Sequence, residues 1–213
     1  MKRIELTLAA LAGGLLLWGG CSSGPSRVQP PAIDADDAGE QAMELYDKDG
    51  DGFLAGAELD ESPGIKAAME TIDGDKDGKV TADEIAERVK AWQATGVGVL
   101  TTNSKFTLDG RPLAGAEITF APEPFLGDNI KTAVGETDNS GSALGTVPKE
   151  QRPTPDTPPG FQPGLYRIRV SKKVGGKETI PAKYNEQTTL GQQYSTDDPA
   201  LMSQKVRFEL TSK

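Results

Sequence analysis

The apolar residues of this chain follow two different periods, and the change falls near residue 96. Before it the spacing is helical. Met43 and Tyr46 share one side of a segment 38–46, Leu59 falls in a very short segment 56–61, and Ile65, Met69 and Ile72 recur at helical intervals. Ile85, Val89 and Trp92 form a stripe on a helix that starts near Ala82 and stops at Gly96. Ser62 and Pro63 predict a fresh helix start, with serine as N-cap and proline at the first helical position. From Val97 onward the period is two. Ala116, Ile118 and Phe120 alternate with Glu117 and Thr119. Tyr166, Ile168 and Val170 alternate with Arg167 and Arg169, and Val206, Phe208 and Leu210 with Lys205, Arg207 and Glu209. Each run is a strand with one dry and one wet face. Asp109-Gly110, Asn139-Ser140-Gly141 and Pro163-Gly164 supply turns. The pattern predicts a multidomain α+β chain, with a compact helical unit over 38–95 and a small β-sandwich over 97–213. Residues 148–163, rich in proline and polar side chains, read either as a binding loop or as a mobile insertion.

Charge sharpens the boundary. Over 34–84 there are 17 acidic and 4 basic residues, a balance of −13; over 97–213 there are 13 acidic and 14 basic, a balance of +1. The acidic half repels nucleic acid and attracts cations. The 213 residues include no histidine and one cysteine, Cys21. That excludes Ser-His-Asp and Cys-His catalysis, disfavours zinc sites of the usual type and rules out an intramolecular disulfide. A carboxylate pair or a lysine could still be catalytic. Nothing locates such a group outside the acidic half, so the chain is read as a non-enzyme.

The acids of that half are patterned. Asp47, Asp49, Asp51, Gly52 and Glu58 recur 26 residues later as Asp73, Asp75, Asp77, Gly78 and Glu84. Calcium is a hard cation that takes six to eight oxygens. Carboxylates at the first, third and fifth positions converge when the chain winds around the ion. Glycine at the sixth allows the sharp turn. The seventh, Phe53 or Lys79, offers its backbone carbonyl, and the twelfth, Glu58 or Glu84, can close the sphere with both oxygens. The segments 47–58 and 73–84 resemble a tandem pair of EF-hand loops. The resemblance implies two Ca2+ ions, and a backbone-to-backbone bridge between the eighth residues, Leu54 and Val80. The alternative is a pair of aspartate-rich turns without an ion, which leaves carboxylates crowded at a Coulomb cost. Position nine is Ala55 in the first loop and Thr81 in the second. Alanine cannot reach an ion or hold a bridging water, so the first site is expected to be the weaker. The close spacing is similar to bacterial EF-hand pairs and less so to dockerins, which often end the loop with aspartate.

The start of the chain carries a different signal. Lys2 and Arg3 precede an apolar stretch 6–18, too short for a comfortable transmembrane helix. It closes on Leu17-Trp18-Gly19-Gly20-Cys21, which resembles a bacterial lipobox, with Trp18 where an aliphatic residue is usual. The resemblance implies a signal peptide over 1–20, lipidation of Cys21 and a flexible tether over 21–37. The protein is then extracytoplasmic and lipid-anchored to a bacterial membrane, at the outer membrane or the periplasmic face. An ordinary secretory signal with an incidental cysteine is the alternative.

In the β half, the run from Thr107 through Asp109-Gly110 and Pro112 to Phe120 resembles the opening of carboxypeptidase-regulatory-like, or transthyretin-like, domains. Thr137-Asp138-Asn139-Ser140-Gly141 and the strand through Tyr166 and Val170 are similar to later strands of that pattern. The resemblance implies a seven-stranded transthyretin-like (Ig-like) sandwich that serves as an accessory module without catalysis.

The expected function is that of a calcium-binding, lipid-anchored cell-envelope accessory protein, whose sandwich contacts envelope protein or glycan. A calcium-responsive adaptor, whose helical pair docks a partner, is the alternative. Outside the cytoplasm, sites with dissociation constants of about 10⁻⁴ to 10⁻³ M stay substantially filled, which favours a structural ion. So small a helical unit needs a staple. Chelation is therefore expected to melt it, and far-UV circular dichroism unchanged by a chelator would refute this.

Overall fold

The computed structural model describes residues 27–213, so the expected leader over 1–20 and Cys21 lie outside the described residues. Asp34 starts the first helix, α1 (Ala35–Tyr46), by accepting a hydrogen bond from the Asp37 N–H at 3.2 Å. The helix therefore begins ahead of the residue at which its apolar spacing becomes readable. Next come α2 (Ala57–Glu61), α3 (Pro63–Ala67), α4 (Met69–Ile72) and α5 (Ala82–Ala94). A capping box opens α5: Thr81 Oγ1 accepts from the Glu84 N–H, and the Glu84 carboxylate accepts from the Thr81 N–H. Pro63 takes the first position of α3, but Ser62 does not cap it with its side chain. The reason lies in the sheet region: Glu123 Oε1 has taken the Gly64 N–H at 2.7 Å, and the Ser62 hydroxyl is buried without a partner. Helices α1 and α5 pack together over Ala38, Ala42, Ile85, Val89 and Trp92, all buried.

The sheet region contains β1 (Asn103–Leu108), β2 (Arg111–Pro112), β3 (Glu117–Pro122), β4 (Ala133–Glu136), β5 (Ser142–Leu144) and β6 (Gly164–Ser171). A short hairpin of β7 (Lys173–Val174) and β8 (Lys177–Glu178) follows, then β9 (Gly191–Tyr194), a one-turn helix α6 (Pro199–Met202) and β10 (Arg207–Leu210). One sheet runs β10-β1-β2, with β5 also on β1, and the other runs β4-β3-β6-β9. Asp109-Gly110 makes the tight turn between β1 and β2. The alternating residues fall where the period places them: Ile118 pairs with Val170 and Phe120 with Ile168, all fully buried. Pairing between β1 and β10 is parallel and stacks Phe106 on Phe208, with ring centroids 4.9 Å apart. Phe120, Phe161, Tyr166 and Tyr194 interlock, with Phe161 and Tyr194 edge to face at 4.6 Å. A hydrogen bond of 2.6 Å between Ser104 and the Tyr194 hydroxyl ties the two sheets together. Segment 148–163 is held in place: Phe161 is buried and bridges to Leu100, and Arg152 donates to the carbonyls of Val147 and Thr157.

Helical and sheet regions share one continuous core. Helix α3 lies directly on β9, where a Cβ at Gly191 would come within 1.8 Å of the Pro63 carbonyl oxygen. Two polar clusters flank this contact. In the first, Glu123, fully buried, accepts from Arg167 Nε at 2.7 Å, from the Gly64 N–H and from the Tyr46 hydroxyl at 3.2 Å. Burial, with the Glu123 carboxylate beside it, pushes the Tyr46 hydroxyl up to about 12. In the second, Arg88 of α5 grips both oxygens of Asp197 at 2.7 and 2.8 Å and also donates to Gln193 and Ser195.

The second cluster predicts an acid-sensitive joint. Hydrogen bonding to Arg88 holds the Asp197 carboxyl down at about 2, below its ordinary 3.8. Because the folded value is the depressed one, this contribution is fully present above about pH 4 and is lost as the pH falls towards 2. Asp197→Asn should therefore lose less stability than the wild type between those two values, measured by urea unfolding. Parallel acid limbs would show that the pair contributes no such linkage.

Candidate metal centre

Each acidic loop begins where a helix ends. The Asp47 N–H closes α1 on the Met43 carbonyl at 2.9 Å, and the Asp73 N–H closes α4 on the Met69 carbonyl at 3.1 Å. The chain then turns sharply at Gly52 and Gly78, with φ of +84° and +83°, a region that glycine enters without a Cβ penalty. These turns aim backbone N–H groups at the leading aspartates: Gly52 donates to Asp47 Oδ2 at 3.0 Å and Gly78 to Asp73 Oδ2 at 2.9 Å. The closing glutamates reach back across their loops. Glu58 accepts from the N–H groups of Lys48 and Ala55, and Glu84 from those of Gly74 and Thr81. Leu54 and Val80 are fully buried and exchange two backbone hydrogen bonds, of 2.8 and 3.1 Å, so the loops lie side by side. Lys79 Nζ stands 4.2 Å from the centre of the Phe53 ring across that junction.

The result is two convergent oxygen clusters. Asp47, Asp49 and Glu58 each offer a carboxylate oxygen within 4.8 Å of the others, and so do Asp73, Asp75 and Glu84. At that separation two unit negative charges repel by about 1 kcal/mol in water and about 3 at partial burial. A cation reverses the sign. All-oxygen, carboxylate-rich donors suit a hard divalent ion and not a thiophilic one. Asp51 and Asp77 lie in the same loops but outside the two clusters; their Oδ1 atoms accept from the N–H groups of Phe53 and Lys79. Cys21 lies outside the described residues.

The two loops differ at one decisive atom. In the first, Asp47 Oδ1 accepts a hydrogen bond from the Gly50 N–H at 2.7 Å. In the second, Asp73 Oδ1 is buried and accepts none. A buried anionic oxygen left unpaired costs upwards of about 1–3 kcal/mol, so a positive charge placed there would be stabilising. No protein-family model, curated protein or solved structure matches this chain. The reading of the site therefore rests on its own residues.

Sequence spacing alone does not show that position four is left-handed in both loops. Gly50 has φ +73° and Lys76 φ +62°. A lysine there stores about 1 kcal/mol of backbone strain, which glycine avoids. The capping box has a sequence signal that the loop reading passed over, Thr81 followed three residues later by Glu84. Thr81 Oγ1 also donates to Glu84 Oε2 at 2.9 Å and fixes the closing glutamate, whereas Gly56, before α2, offers no side-chain cap. The second cluster is thus the better preorganised, as well as the one with an unpaired oxygen. Per-site calorimetry on Glu58→Gln and Glu84→Gln is expected to leave the tighter site in the first variant, and equal residual affinities would contradict this.

Proposed function

We propose that this protein binds two calcium ions through a compact EF-hand pair, with Asp47, Asp49, Asp51, Phe53 and Glu58 around one ion and Asp73, Asp75, Asp77, Lys79 and Glu84 around the other. The observation that carries the reading is Asp73 Oδ1, buried and unpaired beside two further carboxylates. Mirrored hydrogen bonding in the two loops and the Leu54–Val80 bridge support it. Calcium acts here as a structural staple. It neutralises oxygens that would otherwise repel, and so fixes the angle between the helices on either side of each loop. The sheet region serves as a transthyretin-like, carboxypeptidase-regulatory-like interaction module toward envelope protein or glycan. The chain is carried at a bacterial membrane by lipid on Cys21 and has no catalytic role.

The adaptor reading requires the helical pair to offer an apolar face to a partner. That face is occupied internally, with Ile65 fully buried and α3 seated on β9, which favours the structural role.

Calorimetric titration of the purified protein with calcium is expected to give two ions per chain. Glu84→Gln should remove one of them or weaken it at least about tenfold, a loss of about 1.4 kcal/mol. Uptake of fewer than two ions by the wild type at millimolar calcium would overturn the reading.

A further inference from the structure

We infer that the sheet region is the built-in partner of the two loops, and that Gln193 is the positioning residue through which it sets the ion affinity of loop 73–84. The inference rests on the calcium reading and extends it to regulation of that site. Two segments flank the loop. Thr71 lies in α4, just before Asp73, and Arg88 lies in α5, one helical turn beyond Glu84. Both end on the same side chain. Gln193, fully buried on β9, accepts from Arg88 Nε at 2.7 Å through Oε1 and donates to Thr71 Oγ1 at 3.0 Å through Nε2. Arg88 is held in turn by Asp197 and Ser195, and the Gln193 amide also reaches Asp198 Oδ2 at 3.3 Å. One sheet residue thus sets the separation of the entering and leaving arms, and with it the separation of Asp73 from Glu84.

Loop 47–58 is tied in the same manner by different residues. Tyr46 immediately precedes Asp47, and Glu61 lies just beyond Glu58. Arg167 donates from a single nitrogen to the Tyr46 hydroxyl at 2.6 Å and to the Glu61 carbonyl at 2.7 Å. Arg167 is anchored by the buried Glu123. Two separate strands of the sheet region, β6 and β9, therefore each bridge the arms of one loop. An ion that draws the arms of a loop to one separation must work with or against that bridge. Coupling of this kind is reciprocal, so the ion tightens the joint by the factor by which the joint tightens the ion.

The test is a calcium titration of the whole protein carrying Gln193→Leu, Thr71→Val or Asp197→Asn, read per site. Gln193→Leu is expected to weaken loop 73–84 by about tenfold, within the usual range of coupling, and to leave loop 47–58 within about twofold. Thr71→Val and Asp197→Asn, which disturb the core less, should weaken the same loop by smaller factors and carry the test if Gln193→Leu does not fold. A purely architectural Gln193 would lower the melting temperature and leave the affinity of the folded protein unchanged. Wild-type affinities at loop 73–84 in the folded variants would overturn the coupling alone. No uptake by the wild type would overturn the calcium reading beneath it.

Discussion

Carboxylate oxygens held within 4.8 Å of one another are the constraint on which the rest of this structure turns. Like charges brought this close cost Coulomb energy, and the hydrogen bonds inside the clusters offset only part of it. Backbone N–H groups satisfy much of each aspartate and glutamate, yet Asp73 Oδ1 remains buried and unpaired. Hydrogen bonds from neutral amides soften the repulsion but do not remove the charge. A divalent cation would do both. The geometry suits its preference for many oxygens: left-handed residues at the fourth and sixth positions, a glutamate reaching back across the loop, and a short backbone bridge holding two loops at one height.

The same economy governs the joint between the helical and sheet regions. Its apolar part includes α3 on β9 and Tyr46 edge to face with Phe125, and specificity comes from the two hydrogen-bonded polar clusters beside them. Glu123 is inaccessible to water yet accepts from an arginine, a tyrosine and a helix N–H. Removing Arg167 would leave the buried Glu123 charge uncompensated, a cost of about 3–5 kcal/mol in comparable settings. Such a network does not tolerate sliding. The helical pair therefore sits on the sheets in one register, and the arms of both loops inherit that register.

Much of this could be read from the sequence because the chemistry of the acidic loops is local. Asp73, Asp75 and Glu84 meet through turns contained within twelve residues, so spacing predicts convergence. Strands β3, β6 and β10 were legible for a similar reason, since alternation is a property of neighbours. Partners distant in sequence were not. Glu123 carries no local mark beyond the prolines beside it, and its contacts come from Tyr46, Gly64 and Arg167. Arg88 did leave a trace: it falls between Ile85, Val89 and Trp92 on the apolar stripe, where a charge demands a buried partner. Nothing local named Gln193 or Asp197 as that partner. The parallel pairing of β1 with β10 is likewise a matter of topology, and period-two patterning is blind to strand direction.

The difference between the loops bears on how the pair works. In the first, Gly50 adopts its left-handed conformation without strain, and its N–H satisfies Asp47. In the second, Lys76 takes the same conformation at a cost, and Asp73 keeps an oxygen in reserve. The first loop thus occupies both oxygens of its leading aspartate with backbone hydrogen bonds, whereas the second, though its closing glutamate is better fixed, leaves Asp73 Oδ1 open to a cation. The backbone bridge between Leu54 and Val80 joins these unequal halves, so order in one is transmitted to the other through two hydrogen bonds and a pair of buried side chains. An ion in the second loop would then stabilise the first before the first binds anything. This gives a physical reason for pairing a loop whose leading aspartate is hydrogen-bonded at both oxygens with one hydrogen-bonded at a single oxygen.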